Sequence, residues 1–168
     1  DLAGAFTYGG VDVGRGEEDV EGFVVVPLVD DEVKLAVPRS HPLAKKKSAD
    51  LSTLADETWI AGCPRCRGHL VELARVTGFS PNVAFETEDY VAVMGLIAEG
   101  LGIAVIPDLI LRTVHHDDIV ALPLTPASRR RIEAVTTPDL ERVPAVAETL
   151  HALKESAKSQ PKPVRART

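Results

Sequence analysis

Residues 82–107 read NVAFETEDYVAVMGLIAEGLGIAVIP, and this stretch decides the fold class. Val83-Ala84-Phe85 is a short apolar run that turns polar at Glu86-Thr87-Glu88-Asp89. Thr87 suits a helix N-cap, because its hydroxyl can accept a backbone N–H that has no partner inside the helix. Glu88 and Asp89 then fall in the first turn, where the helix dipole favours acids. Tyr90, Val93, Met94, Ile97 and Leu101 recur at helical spacing, an apolar stripe that needs a sheet to lie on. Gly100 and Gly102 suit the helix exit, where a left-handed residue costs glycine least. Ile103-Ala104-Val105-Ile106 is apolar on both faces, as in a strand buried in a parallel sheet, and Pro107 ends it. The pattern is strand, helix, strand. Ligands of such sheets bind beyond the carboxyl ends of the strands, here near Glu86-Thr87 and Pro107-Asp108.

Working outward, strand and helix signals continue to alternate, so the class is α/β. Phe23–Val29 and Glu32–Val37 are β-branched runs flanking Asp30-Asp31. Pro38–Ala44 is turn-rich and includes His41, while Lys45-Lys46-Lys47 reads as a solvated basic run. Asp50–Leu54 suits one helical turn, and Thr58–Ala61 a strand carrying Trp59. A helix is expected from about His69 to Thr77, closed by Gly78 and Pro81. After the central unit, Asp108–Val114 reads as helix, and Ile119–Leu124 and Arg131–Thr137 read as strands. Pro144–Ala157 is an amphipathic helix with Val146, Leu150, Leu153 and Ala157 on one face. At the start, Leu2–Thr7 is strand-like, as if the chain began inside a longer protein. Gly9–Gly22 reads as a surface loop or a lid, and 158–168 as a disordered basic tail.

Composition narrows the function. The 168 residues are 45% hydrophobic and 26% charged, enough for one domain or two small lobes with an aliphatic core. A net charge of −6 argues against a grip on nucleic acid, which needs a basic face. There is no apolar run of membrane-spanning length and no signal peptide, so a cytoplasmic protein without a membrane partner is expected. Two cysteines are too few for a disulfide-stapled scaffold.

Chemistry could sit at Gly62-Cys63-Pro64-Arg65-Cys66-Arg67-Gly68, between a strand and a helix. Cys63 and Cys66 match the spacing of a thioredoxin-like redox motif, where a helix N-terminus lowers the first thiol's pKa. Pro107, after an apolar strand, could face such a motif. Equally, the thiols could be small residues lining a helix start. A zinc site on Cys63, Cys66 and His69 lacks a fourth ligand, since His115 and His116 lie in a remote turn. Arg65 and Arg67 beside backbone N–H groups make an anion site, or two solvated side chains. No nucleophile elbow, serine–histidine pair or phosphate-binding glycine loop is present, so no catalytic residue, metal or cofactor is assigned.

The order of several short motifs carries a family resemblance. His41-Pro42-Leu43-Ala44, Leu54-Ala55-Asp56-Glu57-Thr58-Trp59-Ile60 and Gly78-Phe79-Ser80-Pro81 come first. Thr87-Glu88-Asp89-Tyr90 and Ala98-Glu99-Gly100-Leu101-Gly102-Ile103-Ala104-Val105-Ile106-Pro107 follow. From about Asp1 to Ala157 the chain resembles the effector-binding domain of a LysR-type transcriptional regulator.

That resemblance implies a two-lobed architecture like type II periplasmic binding proteins, with the effector in the cleft. The first lobe would comprise 1–29 and 123–157, the second 30–122. The N-terminal winged helix-turn-helix and the opening half of the first lobe are missing from the pattern, so the first lobe is expected to be incomplete. Carried over by position, the effector would meet Thr7, Tyr8, Ala61, Gly62, Cys63, Ile106, Pro107, Asp108, Val135 and Thr136, with Arg65 and Arg67 as anion contacts. The implied function is co-inducer sensing, with a small organic acid as effector, in a homodimer or higher homo-oligomer that reaches DNA only through the absent domain. A thiol-disulfide oxidoreductase using Cys63 and Cys66 is the alternative.

Overall fold

The computed structural model describes residues 22–159. The expected strand Leu2–Thr7, the loop from Gly9 up to residue 21, Thr7 and Tyr8 as contacts, and residues 160–168 of the tail lie outside the described residues. The chain divides into two compact units, described separately below. Of the described residues, 22–31 and 129–159 belong to one and 32–128 to the other.

The larger unit is built on strands β1 (Val24–Pro38, from Glu32 onward), β2 (Ala49–Asp50), β3 (Thr58–Ala61), β4 (Asn82–Glu86), β5 (Ala104–Pro107) and the first part of β6 (Ile119–Thr136). Its helices are α1 (Pro64–Val76), α2 (Tyr90–Ala98) and α3 (Asp108–Thr113). Strand order is β2-β6-β1-β5 in one sheet and β3-β4 in another, and a parallel bridge from Trp59 to Ile103 links β3 to the residue before β5. β3 and β4 are parallel, with Ala61 opposite Glu86. The central strand-helix-strand unit therefore crosses over β3.

Side chains sort by strand pleat. Leu35 and Val37 of β1, Trp59 of β3 and Ile103 point to one face, where Leu70 and Leu73 of α1 cover them. Ala36, Ile60, Ala104 and Ile106 point to the other, under Val93 and Ile97 of α2. Trp59 is fully buried and stacks on Phe79, ring centroids 6.3 Å apart. Helices on both faces explain why these strands are apolar throughout.

In the smaller unit, the starts of β1 and the end of β6 carry an ion pair. Arg130 Nε donates to buried Asp31 Oδ2 at 2.8 Å. Helices α4 (Pro138–Glu141) and α5 (Pro144–Lys158) follow, and α5 has no buried residue.

Several local expectations change. Asp30-Asp31 does not divide two strands; β1 runs unbroken, because the buried acid is met by Arg130. β6 is likewise continuous from Ile119 to Thr136, with its ladder to β2 confined to Leu124 and Thr125 between Pro123 and Pro126. β5 pairs antiparallel with β1, Val33 opposite Pro107, so the sheet is mixed rather than parallel. α2 is capped by Asp89, whose carboxylate accepts from Val91 N at 2.8 Å, and not by Thr87. Thr87 Oγ1 instead accepts from Asp89 N in the preceding turn, which places Glu88 and Asp89 before the helix. Gly100 is left-handed at φ 73° as the exit requires, but Gly102 is needed for space: a Cβ there would lie 2.8 Å from the Thr58 carbonyl oxygen. Leu101 falls off the stripe, 45% exposed.

Candidate functional site

β4, β3 and β5 run in one direction, so Glu86, Ala61 and Pro107 end on the same edge of the larger unit. Three features meet this edge: the start of α1, the start of α2 and the start of α3.

α1 begins at Pro64, not His69, because proline at the first helical position has φ already set and no N–H to satisfy. Cys63 is its N-cap and makes no side-chain capping bond. The amides of Arg65 and Cys66 consequently have no intrahelical carbonyl, whereas Arg67 N donates to Cys63 O at 2.9 Å. Arg65, Cys66, Arg67 and Gly68 thus stand inside a helix rather than in a turn. Gly62 lies hard against Cys66: a Cβ on it would sit 3.1 Å from Cys66 Cβ.

The two thiols touch, Sγ to Sγ 2.9 Å, and Cys66 Sγ lies 3.8 Å from the Tyr90 hydroxyl at the start of α2. Burial pushes the Cys66 thiol up, and the neighbouring Cys63 thiol adds to the effect. Among the described residues no group of three or more metal-ligating side chains forms, and His69 is used otherwise. It is buried, with Nε2 2.9 Å from Ser128 Oγ.

Arg67 faces Glu86 across the edge, Nε to Oε2 3.7 Å, both about half exposed. Exposed pairs of this kind contribute about 0–1 kcal/mol. An acid at the end of β4 therefore tempers the charge that the sequence reading assigned to Arg67.

Asp108 opens α3 and is buried. Lys34 Nζ donates to Oδ1 at 2.7 Å and Arg112 Nε to Oδ2 at 2.6 Å. Burial pushes the carboxyl up, but the two cationic donors outweigh it and hold it below the usual carboxylate range. Asp108 is thus engaged within the protein. Ile106 and Ala61 are buried in the core, Pro107 is buried as the N-cap of α3, and Gly62 and Cys63 remain accessible. Val135, 39% exposed, and Thr136 lie on β6 in the other unit.

The sequence brings Ala61, Gly62, Cys63, Arg65 and Arg67 together by contiguity, and Pro107 and Asp108 join their edge through the β3–β5 bridge. Lys34, Tyr90 and Arg112 escaped the reading as site-edge groups. The i,i+4 spacing of Asp108 and Arg112 on a helix start was the one available signal.

Comparison with known proteins is consistent along the chain. The model of the LysR substrate binding domain matches residues 9–158. The malonate utilization transcriptional regulator of Klebsiella pneumoniae is 29% identical over 113 residues, 66% of this chain and 36% of its own length. The chain spans 30% to 40% of the length of the curated relatives it matches first. Among solved structures, the CcmR regulatory domain of Synechocystis PCC6803 in complex with 2-PG superposes with a TM-score of 0.73 at 20% identity, covering 94% of this chain and 75% of that one. The effector binding domain of QuiR in complex with shikimate gives 0.70 at 23%, covering 87% and 70%. These likenesses share the type II periplasmic-binding-protein-like fold.

Proposed function

The chain belongs to the LysR substrate-binding domain family, and on that footing we propose that it senses a small organic acid for a LysR-type transcriptional regulator and catalyses no reaction. The observation that carries the acid is the start of α1: a 13-residue helix, uncapped by any side chain, standing at the carboxyl end of parallel strand β3. Its positive end and two amides without intrahelical partners suit a carboxylate. Gly62 and Cys63 are accessible there, and Arg67 adds a guanidinium. In this reading Asp108 and Ile106 support the edge and do not touch the effector, since one is held by two cations and the other is buried. The relatives the chain matches are transcriptional regulators, which weighs against a thioredoxin-like oxidoreductase.

The test is calorimetry with a panel of small mono- and dicarboxylates, each beside its amide. A charge-assisted hydrogen bond contributes about 1.5–3 kcal/mol, so the amide should bind about tenfold or more weakly. Arg67→Ala should weaken the acid and leave the amide unchanged. Equal binding of acid and amide would reject the anion reading.

The regulator is proposed to act as a homodimer or higher homo-oligomer. The stripe Val146, Leu150, Leu153 and Ala157 on α5 is nowhere fully buried and offers a second copy an apolar face. A monomeric mass throughout the micromolar range would count against it. The net charge of −6 leads us to expect no sequence-specific gel shift from these residues.

A further inference from the structure

We infer that Cys63 and Cys66 form a thiol–disulfide exchange site, closing to an intramolecular disulfide against a low-molecular-weight disulfide and reopening against the corresponding thiol. The two occupy the N-cap and third positions of α1 and are reduced, with Sγ atoms 2.9 Å apart. A disulfide needs about 2.05 Å, an approach of less than an ångström. A tetrahedral zinc with sulfur at about 2.3 Å would instead hold its thiolates roughly 3.8 Å apart, so the pair is set too close for that metal. Both residues are partly accessible, so a small co-reactant can reach them. Gly62 keeps the approach open, because a side chain there would press on Cys66 Cβ and Sγ at 3.1 and 3.4 Å.

The order of attack follows from placement. Cys63 stands at the helix end, where the dipole supports a thiolate. Cys66 lies beside the Tyr90 hydroxyl, and burial pushes its thiol up, which keeps its proton on. Cys63 Sγ attacks one sulfur of the small disulfide; the bond between the two small sulfurs breaks, and one thiolate leaves with the electron pair and takes up a proton. Cys66, deprotonated in turn, attacks Cys63 Sγ and expels the second small thiolate. The two protein thiols lose two electrons and two protons, and the small disulfide becomes two thiols. The amides of Arg65 and Cys66 lie within the ring so closed, so the state of the pair sets the geometry of that helix start.

The experiment equilibrates the 168-residue chain with glutathione at graded thiol-to-disulfide ratios, quenches with acid and reads intact mass and thiol count. No ligand is needed, so the result is independent of the effector reading. The wild type should lose two hydrogens, retain no glutathione and recover both thiols in excess reduced glutathione. Cys63→Ser and Cys66→Ser should each retain one glutathione, with Cys66→Ser reacting about tenfold faster because it keeps the attacking thiol. A wild type carrying two glutathiones, or keeping both thiols at the most oxidising ratio, would overturn the site. Faster reaction of Cys63→Ser would overturn the order of attack.

Discussion

Glu86→Gln should tighten the binding of a small carboxylate while leaving the fold unchanged. In the wild type Glu86 Oε2 lies 3.7 Å from Arg67 Nε, so an incoming acid must share that guanidinium. The pair is about half exposed, and releasing it returns about 0.5 kcal/mol. Removing the acid also removes like-charge repulsion. At about 7 Å in a water-like dielectric, that is about 0.6 kcal/mol. Together they give about 1 kcal/mol, a roughly fivefold lower Kd. The assay is calorimetry at about 0.05 M and 0.5 M salt with the tightest acid of the panel and its amide. Both contributions are screened, so most of the gain should vanish at high salt. Because the pair is exposed, Tm without ligand should stay within about a degree. An unchanged or weaker affinity for the acid, or an equal gain for the amide, would refute the claim that the carboxylate lies at this edge.

Asp108→Asn leaves Lys34 and Arg112 without their carboxylate in a site 7% exposed. Breaking such a pair costs about 3–5 kcal/mol when fully buried; the cations can partly rehydrate, so about 2 kcal/mol is expected in urea unfolding. The folded carboxyl titrates below its unfolded value of about 3.9, so its stabilisation is complete above that pH and is lost as pH falls through the folded pKa. The gap in Tm between wild type and Asp108→Asn should therefore hold from pH 5 to pH 8 and close below about pH 4; a gap independent of pH would count against the charge pairing. Gly102→Ala sets a Cβ 2.8 Å from a backbone oxygen and should cost about 1–3 kcal/mol. Gly95→Ala, inside α2 with nothing within 4 Å of the added carbon, should gain about 0.5–1 kcal/mol. Equal effects of the two substitutions in thermal unfolding would contradict the packing described.

How much of this the sequence disclosed depended on the range of the interaction. The strand Thr58–Ala61, the helical turn at Leu51–Thr53 and the stripe Val93, Met94, Ile97 were legible because their signals are local periodicity and turn chemistry. The exit glycine Gly100 was legible for the same reason. Gly102 was not, because its constraint is a carbonyl on Thr58, remote in sequence. Asp30-Asp31 reads as a joint between two strands until Arg130 is placed beside Asp31, a pairing across 99 positions. Asp108 shows the same limit at the site. It was expected at the edge and stands there, but its two cations come from β1 and the next turn of α3, and only their arrival shows the carboxylate to be engaged. Position along a strand is a local fact; what a charge does there is not.

The charges along the edge argue for how an acid would lie. A chain of net −6 repels anions at long range, but beyond about 8 Å salt removes most of that field. Within it, the groups are sorted. Glu86, Glu88 and Asp89 gather at the β4 end, where Asp89 is already spent on capping α2. Arg67 lies between that end and β3, while Lys34 and Arg112 outnumber Asp108 at the β5 end. The potential thus rises from β4 towards β5, with the uncapped start of α1 over the middle strand. On the proposed reading a carboxylate would be drawn to the α1 amides and away from the acids of β4, so the remainder of the molecule would be directed to the side of Pro107, not along β4. On that reading, the same gradient makes Glu86 the acid expected to limit affinity, because it is the carboxylate of the β4 end that reaches Arg67.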